Sequence, residues 1–217
     1  MQFSNARIYN HHVYILHRYA EGSGTAAKFK YVHDLKFLST STLVCADYGN
    51  HCLRLINLKT SSPETSTFAG QCTSAGSTDG HRLALAKFYQ PKILEVNRIN
   101  STVFAVDYPR RLRMIDLKAD DVSTIYTFIT NIFGMNLFGD NLLYFSQYYN
   151  VLALDLSTKQ EHVIAGGTYG GDSIGPFELT RFRYVFGMML EPDGKENILL
   201  VADRSNHRFG GFSCLVF

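Results

Sequence analysis

The feature that most constrains this chain is a short pattern that occurs four times. Each copy is an apolar run, a polar turn and a second strand-like run, and the copies begin near residues 43, 103, 142 and 199. The turn opens on an aspartate in three copies, at Asp47, Asp107 and Asp203, and Ser146 takes this position in the third copy. Such recurrence is typical of a repeat architecture with connections of variable length.

The apolar runs indicate strands that are covered on both faces. Residues 43–46 read Leu-Val-Cys-Ala, whereas a strand with one solvated face would alternate apolar and polar residues. A sheet packed between two neighbouring sheets provides this burial. The aspartate that follows favours a tight turn, with positive φ expected at Gly49 or Asn50. We therefore predict all-β structure made of antiparallel hairpins.

The first and last copies resemble the NHL repeat. The residues that carry the resemblance are Ala46-Asp47 with Asn50-His51, Ala202-Asp203 with Asn206-His207, and the closing pairs Ala69-Gly70 and Ala165-Gly166. The two middle copies depart from the pattern, because Tyr108-Pro109-Arg110 and Gln147-Tyr148-Tyr149 replace the Asn-His pair. The resemblance implies a β-propeller with four strands per blade, and usually six blades.

We interpret residues 1–217 as a single propeller domain in which four NHL-like blades are present. The predicted blades cover about residues 29–70, 88–128, 133–166 and 182–217. The last unit ends after its third strand, and residues 8–19 have the character of the missing outer strand. A closed four-bladed ring, with its sheet edges covered, is one interpretation. A fragment of a six-bladed ring is the other.

The cysteines bear on the compartment. Cys52 opens a predicted third strand and Cys72 follows the fourth, so folding the hairpin near residue 62 places the two opposite each other. They form either a disulfide, which indicates an oxidising extracellular compartment, or a pair of free thiols. Cys45 and Cys214 are predicted core residues. The sequon Asn100-Ser101-Thr102 lies in a predicted loop and makes Asn100 a glycosylation candidate.

Histidines and aspartates recur at equivalent turns, which favours a structural interpretation. His51 and His207 belong to the repeat signature, and the three turn aspartates are predicted to cap their turns. We expect no metal, no cofactor and no catalytic residues, since nucleophile-elbow, phosphate-loop and zinc-protease motifs are all missing from the sequence. The resemblance implies one enzymatic alternative, because amidating lyases with an NHL-like propeller hold zinc through histidines. A metal-dependent lyase or hydrolase is therefore kept as a second hypothesis.

Charge offers little support for nucleic acid or membrane as the partner. The formal net charge is +2, and no stretch of 18 apolar residues occurs, so no membrane span is expected. Arg110, Arg111 and Arg113 form a local basic cluster beside Tyr108. Because the resemblance includes NHL domains that bind RNA, an RNA-binding domain is a third hypothesis, although RNA is the less expected partner.

Our main expectation is a non-catalytic scaffold that binds a protein or peptide. Rigid blades would fix the turns, and turn residues would line one face. The expected setting is extracellular, as a secreted protein or a receptor ectodomain, although residues 1–22 do not resemble a signal peptide. The predicted binding face consists of Tyr48, Asn50, His51, Tyr108, Arg110, Arg111, Tyr148, Tyr149, Arg204, Asn206 and His207.

Overall fold

The computed structural model describes residues 6–9, 12–15, 19–173, 175, 179–190 and 198–213, with backbone alone at 6–9, 12–15, 208 and 210–213. By its internal contacts the chain forms two compact units. The first contains the chain up to Lys92 together with Lys118–Ser123, and the second contains Ile93–Leu117 and the chain from Thr124 onward. No helix among these residues has the length and apolar character needed to cross a membrane.

The first unit is built on one antiparallel sheet. An N-terminal pair precedes it, formed by β1 (Ala6–Tyr9) and β2 (His12–Ile15). The sheet has the strand order β3-β7-β6-β5-β4. Its strands are β3 (Gly22–Ser23), β4 (Val32–Ser39), β5 (Thr42–Asp47), β6 (Cys52–Asn57) and β7 (Glu64–Ala69). The four long strands confirm the first predicted hairpins, and the two-residue β3 covers the outer edge of β7.

The next sheet extends from β8 (Gly80–His81), whose partner is the start of β12 in the first unit. The sheet has the order β8-β12-β11-β10-β9. Its other strands are β9 (Ile93–Asn97), β10 (Thr102–Asp107), β11 (Arg111–Asp116) and β12 (Asp121–Thr127). Short β8 covers the outer edge of β12, as β3 covers β7.

Two further antiparallel sheets belong to the second unit. The first, in chain order, contains β13 (Gly134–Phe138), β14 (Leu142–Ser146), β15 (Asn150–Asp155) and β16 (Glu161–Gly166). The second contains β17 (Val185–Leu190), β18 (Ile198–Asp203) and β19 (Arg208–Ser213). Ring closure through residues 8–19 stays a prediction, and residues 16–18 and 214–217, including Cys214, lie outside the described residues.

The core of the second unit explains why its strands read as unbroken apolar runs. All six residues of β10 are buried, and so are four of the five residues of β14. Phe104, Leu143 and Phe145 belong to one cluster, and Tyr144 belongs to the next. Alternate side chains of β14 thus enter two different apolar clusters, and β10 is buried along its whole length. This is the double burial that the sequence predicted.

The cysteine pair forms the predicted disulfide. Cys52 and Cys72 are bonded, with their Cα atoms 4.9 Å apart. Cys45 is buried and free, and burial raises the pKa of its thiol to about 12. Both predictions, a bond at 52–72 and a core position for Cys45, are confirmed.

The turns between the second and third strands differ in detail from the sequence-based expectation. Tyr48–Asn50 and Arg204–Asn206 each form a single turn of 3₁₀ helix. Positive φ falls not on Gly49 or Asn50 but on the next residue, with values of 60° at His51 and 52° at His207. Histidine in this signature therefore occupies the left-handed position that ends the turn.

Candidate functional site

Each turn aspartate is the centre of a buried polar network. In the first sheet, Asp47 Oδ1 accepts the backbone N–H of Lys30 at 2.8 Å, and Oδ2 accepts from Asn50 Nδ2 at 2.8 Å. Oδ2 also accepts from Arg54 Nη1 at 3.2 Å, and the side chains of Asp47 and Arg54 are both fully buried. This is an ion pair inside the sheet.

The second sheet repeats the ion pair with a different arginine spacing. Asp107 Oδ2 accepts from Arg113 Nη1 at 3.0 Å, and both side chains are fully buried. Arg111 adds a second contact, from Nε to Asp107 Oδ1 at 2.9 Å. Arg113 and Arg111 are therefore bound to the turn aspartate, so the basic cluster expected from the sequence is not presented as a cluster of exposed charge.

In the last sheet, the turn aspartate accepts hydrogen bonds from backbone N–H groups. Asp203 Oδ1 accepts the N–H groups of Arg183 and Tyr184, each at 3.1 Å, and Oδ2 accepts from Asn206 Nδ2 at 2.6 Å. Neither Asp47 nor Asp203 caps its own 3₁₀ turn through a side-chain hydrogen bond. The predicted capping role is wrong at these two positions, because the carboxylates tie the turn to the residues before the inner strand instead.

These networks reassign part of the predicted binding face. Asn50 is only 3% exposed and uses its amide on Asp47, so it belongs to the turn and not to the surface. Arg110 donates from Nη1 to the carbonyl oxygen of Ile129. Asn206 donates to the carbonyl oxygen of Gly171 at 2.7 Å as well as to Asp203. Tyr108 stays half exposed on its turn.

The two signature histidines have local partners or lie in solvent. The His51 ring stacks on Tyr89 with centroids 5.4 Å apart, and its Nδ1 accepts the N–H of Gln90 at 3.2 Å. Burial, together with the nearby charge of Lys30, lowers the pKa of His51. His207 is exposed. Within the described part of the chain, no three His, Cys, Asp or Glu side chains are grouped as a metal site would require.

The most distinctive surface of the second unit is a cluster of aromatic rings, which we call the aromatic patch. Phe133 lies at its centre, with ring centroids 4.8 Å from Tyr148, 4.9 Å from Tyr184 and 6.0 Å from Phe186. Tyr148 also contacts Tyr149 and Tyr184, at 6.2 and 5.2 Å. The patch consists of Phe133, Tyr148, Tyr149, Tyr184, Phe186 and Arg204.

Backbone hydrogen bonds hold the patch in place. The N–H of Val185 donates to the carbonyl oxygen of Tyr148 at 3.1 Å, which joins the β14–β15 turn to the start of β17. The N–H of Arg204 donates to the carbonyl oxygen of Tyr184 at 2.9 Å. Phe186 lies where the register of β17 against β18 shifts, and such a bulge redirects a side chain out of the regular alternation.

The patch is accessible to a partner although its rings contact one another. Tyr148 and Tyr149 are 40% and 39% exposed and Phe186 is 50% exposed. The guanidinium carbon of Arg204 lies 5.4 Å from the centre of the Phe186 ring, a cation–π geometry. Burial, and then the proximity of Tyr148, raises the pKa of Tyr184. The surface is thus apolar, neutral at its centre and cationic at its rim.

The structure brings together three of the predicted face residues and adds three that sequence reasoning missed. Tyr148, Tyr149 and Arg204 were predicted; Phe133, Tyr184 and Phe186 were not. Phe133 and Tyr184 each stand immediately before an inner strand, β13 and β17 respectively. An aromatic residue at the same place in two repeats was a signal in the sequence. Tyr48, in the first unit, has its ring tilted against that of His33, with the ring centroids 4.5 Å apart.

Comparison with solved structures shows a β-propeller-type fold. The chain is similar to a chain in the crystal structure of the nidogen/laminin complex, with a TM-score of 0.61 and 12% identity over 96% of this chain and 69% of that one. It is also similar to the computationally designed Ika4 protein, with a TM-score of 0.50 and 9% identity over 86% and 92% of the two chains. No protein-family model and no curated protein matches the sequence.

Proposed function

We propose that this chain is an NHL-type β-propeller module that binds a protein partner, without catalysis, in an extracellular setting. The observation that carries the proposal is the aromatic patch. Five rings in mutual contact, three of them about half exposed, form a continuous apolar surface at the ends of rigid strands. Aromatic residues and arginine are the side chains that most often dominate protein–protein binding energy.

The construction of the patch favours binding because its rings are already ordered. Phe133 contacts three neighbouring rings, and the main chain beneath Tyr148 and Tyr184 is held by hydrogen bonds to Val185 and Arg204. A partner therefore loses little free energy to the ordering of these side chains on association. Tyrosine hydroxyls at the edge can exchange water for polar groups of the partner.

The rim of the patch indicates what kind of partner segment it would accept. Arg204 lies over Phe186, and Arg183 is exposed beside Tyr184. An aromatic or aliphatic side chain would pack on the rings, and a neighbouring carboxylate would pair with an arginine of the rim. We therefore propose an acidic segment with an apolar anchor as the ligand.

One observation supports the extracellular setting: the Cys52–Cys72 disulfide is of the kind that persists in oxidising compartments. The similar chain in the nidogen/laminin complex supports the protein partner, because it comes from an assembly between two proteins. The RNA hypothesis receives no comparable support, because Arg113 is buried against Asp107 and Arg111 is bound to the same carboxylate.

The test is a selection of displayed random peptides on the disulfide-bonded protein. The change that removes the surface is Tyr148→Ser with Phe186→Ser, and the matched control is Tyr169→Ser, because Tyr169 is 81% exposed in the same unit but is not part of the patch. We expect enriched peptides that contain an acidic residue close to an apolar one. Their affinity should fall at least tenfold on the double variant and stay unchanged on the control.

Two outcomes would overturn the proposal. Peptides that bind the double variant as tightly as the parent protein would place the binding surface elsewhere. Enrichment of peptides without acidic residues, with affinities insensitive to Arg204→Gln, would remove the proposed charge pairing. Thermal unfolding of each variant must match the parent protein, so that a loss of binding reports the surface and not the fold.

A further inference from the structure

We propose that Asn100 is a site of N-linked glycosylation and that its glycan occupies the end of the second unit opposite the aromatic patch. Asn100 is exposed at the tip of the turn between β9 and β10 and begins the sequon Asn100-Ser101-Thr102. A sequon in an exposed turn is the setting in which an exported protein carries such a glycan. The inference shares the extracellular setting of the proposed function but does not depend on the patch.

The turn is well suited to carry a bulky group. Asn97 Oδ1 accepts the N–H groups of Ile99 and Asn100 at 3.0 and 3.1 Å, which fixes the main chain from within. Ser101 has a φ of 57°, at the point where the chain turns back into β10. The two residues before Asn100, Arg98 and Ile99, are exposed as well. The glycan would therefore project into solvent without displacing a packed side chain.

The chemistry is a group transfer from an oligosaccharide carried on a lipid pyrophosphate. The side-chain amide nitrogen of Asn100 forms a bond to the anomeric carbon of the sugar. The bond between that carbon and the pyrophosphate oxygen breaks, and the lipid pyrophosphate leaves with the bonding electron pair. The amide gives up one proton to a base of the transferase, so no oxidant or reductant is needed.

The burial of Thr102 sets the order of events. The transferase must contact the threonine hydroxyl of the sequon, yet Thr102 is only 8% exposed and is the first residue of β10. Its Oγ1 donates to the carbonyl oxygen of Asn100 at 3.4 Å. Transfer must therefore precede the pairing of β10 with its neighbours, and the folded protein should be a poor acceptor.

Strand direction separates the glycan from the patch. Asn97 Nδ2 donates to Asp140 Oδ1 at 3.1 Å, so the β9–β10 turn lies beside the turn that follows β13. Phe133 precedes the other end of β13, and five residues of strand span about 17 Å. The glycan and the patch therefore occupy opposite ends of the same strands, and both can be used at once.

The test expresses the chain behind a secretion signal in cultured animal cells and measures the intact mass of the secreted protein before and after treatment with an amidase that removes N-glycans. Asn100→Gln and Thr102→Val destroy the sequon, whereas Ser101→Gly and Thr102→Ser preserve it. Ser101→Gly also suits the positive φ at that position. We expect one amidase-sensitive glycan on the parent protein and on both sequon-preserving variants, and none on Asn100→Gln or Thr102→Val.

The outcomes separate this inference from the proposed function. Secreted, disulfide-bonded parent protein with an unmodified mass would overturn the glycosylation site and leave the peptide-binding result untouched. Efficient transfer to purified folded protein in vitro would overturn the proposed order of events. Loss of peptide binding on glycosylation, restored by the amidase, would overturn the placement of the glycan opposite the patch.

Discussion

In a buried ion pair such as Asp47–Arg54, each charged side chain is tolerated in the interior only because the other is there. Burying either charge alone costs several kcal/mol, and the attraction between the two offsets that cost only in good geometry. Arg54 Nη2 also donates to the carbonyl oxygen of Ala20 at 2.9 Å, and the guanidinium lies over the Tyr19 ring at 4.6 Å. The arginine thereby connects the chain before the sheet to the turn aspartate.

The third sheet shows what replaces the pair. Cys45 pairs with Arg54 and Ala105 pairs with Arg113, whereas at the same register Tyr144 pairs with Ala153. A small residue faces each arginine, and a large one faces the alanine. Ser146 takes the aspartate position in that sheet. The acid and the arginine are therefore missing together, and tyrosine fills the space.

We predict that Asp47→Ser alone is strongly destabilising, by about 3–5 kcal/mol, because it leaves the Arg54 charge buried without its carboxylate. Asp47→Ser combined with Arg54→Met should cost clearly less than the sum of the two single changes, since it removes both charges. Urea unfolding of the four proteins measures the coupling. Additive costs would show that the two residues act independently.

The sequence did not reveal the buried arginines, and the reason is physical. Arginine is a surface residue in most contexts, so Arg110, Arg111 and Arg113 read together as an exposed basic turn. The position of each arginine along the strand is what distinguishes them. Arg113 lies within β11 on a buried side of the sheet, whereas Arg110 precedes the strand. An arginine follows the aspartate by six or seven residues in the first two copies, and the third copy lacks both residues. The fourth copy keeps Asp203 without such an arginine, so the repeat pattern alone did not identify the buried pairs.

A second prediction at the residue scale concerns His51 and pH. Burial against Tyr89 lowers its pKa in the folded protein, so the unfolded chain binds the proton more readily. Stability from the neutral ring is therefore complete above the ordinary pKa of about 6.5 and declines as pH falls below it. We expect the urea midpoint to fall between pH 7 and pH 5 in the parent protein.

His51→Asn isolates this contribution, because asparagine tolerates the left-handed conformation at residue 51 and does not titrate. The decline of the urea midpoint between pH 7 and pH 5 should be shallower in this variant than in the parent protein. Identical pH profiles would assign the decline to other groups.

At the scale of the strand, the closing Ala-Gly pairs have a steric cause. Gly166 ends β16 with a φ of 102°, and a Cβ there would lie 2.1 Å from the carbonyl oxygen of Tyr149. Gly70 directly follows β7 with a φ of 89°, and a Cβ there would lie 2.7 Å from the Phe88 ring. Glycine at these positions lets the outer strand approach the neighbouring turn.

We predict that Gly166→Ala destabilises the protein by more than 2 kcal/mol, because strained φ adds to a clash with main-chain atoms. It should also weaken peptide binding, since the displaced carbonyl belongs to Tyr149 of the patch. Gly139→Ala is the matched control: its φ is 59° but nothing lies within 4 Å of the added Cβ. The control should cost only about 1–2 kcal/mol for the left-handed conformation and leave binding intact. Equal losses for both variants would exclude the steric argument.

The disulfide is a second feature that stabilises the arrangement of strands. It joins the start of β6 to the segment after β7 across 20 residues of chain. Cross-links over loops of this length stabilise by about 2–4 kcal/mol. We predict a loss of that size for Cys72→Ser in denaturant unfolding, whereas Cys45→Ala should leave the 52–72 bond intact by mass. A Cys72→Ser variant as stable as the parent protein would contradict this expectation.

Strand positions were the part of the structure that the sequence predicted best. The repeats align, so the first three strands of a blade are each identified four times and the fourth strand three times. The unbroken apolar runs distinguish doubly covered strands such as β10 from one-sided ones. Short edge strands were missed, because Gly22–Ser23 and Gly80–His81 have no pattern of their own and pair only through their position beside β7 and β12. Half of the aromatic patch was predicted. Its turn residues could be found because the turns recur in each repeat, whereas the contacts between rings of different sheets leave no pattern in the sequence.

For the whole molecule, burial predicts a gradient of stability within each unit. In the first unit, β5 has four buried residues, whereas β4 has none and exposes Val32, Leu35 and Phe37. In the second unit, β10, β14 and β15 are largely buried, whereas β17 exposes Phe186 and Met189. Amide hydrogens of buried central strands exchange only through extensive unfolding, and those of exposed strands exchange through local opening.

We therefore predict that amide hydrogen exchange, followed by peptide mass spectrometry, is slowest in β5 of the first unit and in β10, β14 and β15 of the second. Peptides covering β4 and β17 should exchange at least tenfold faster than those. The same measurement also locates bound peptide. A peptide on the aromatic patch should slow amide exchange in β17 and in the turn at Tyr148, and should leave the exchange rate of β4 unchanged. If β4 were as protected as β5 in the free protein, its exposed face would have to be covered in solution, and the burial argument for that strand would fail.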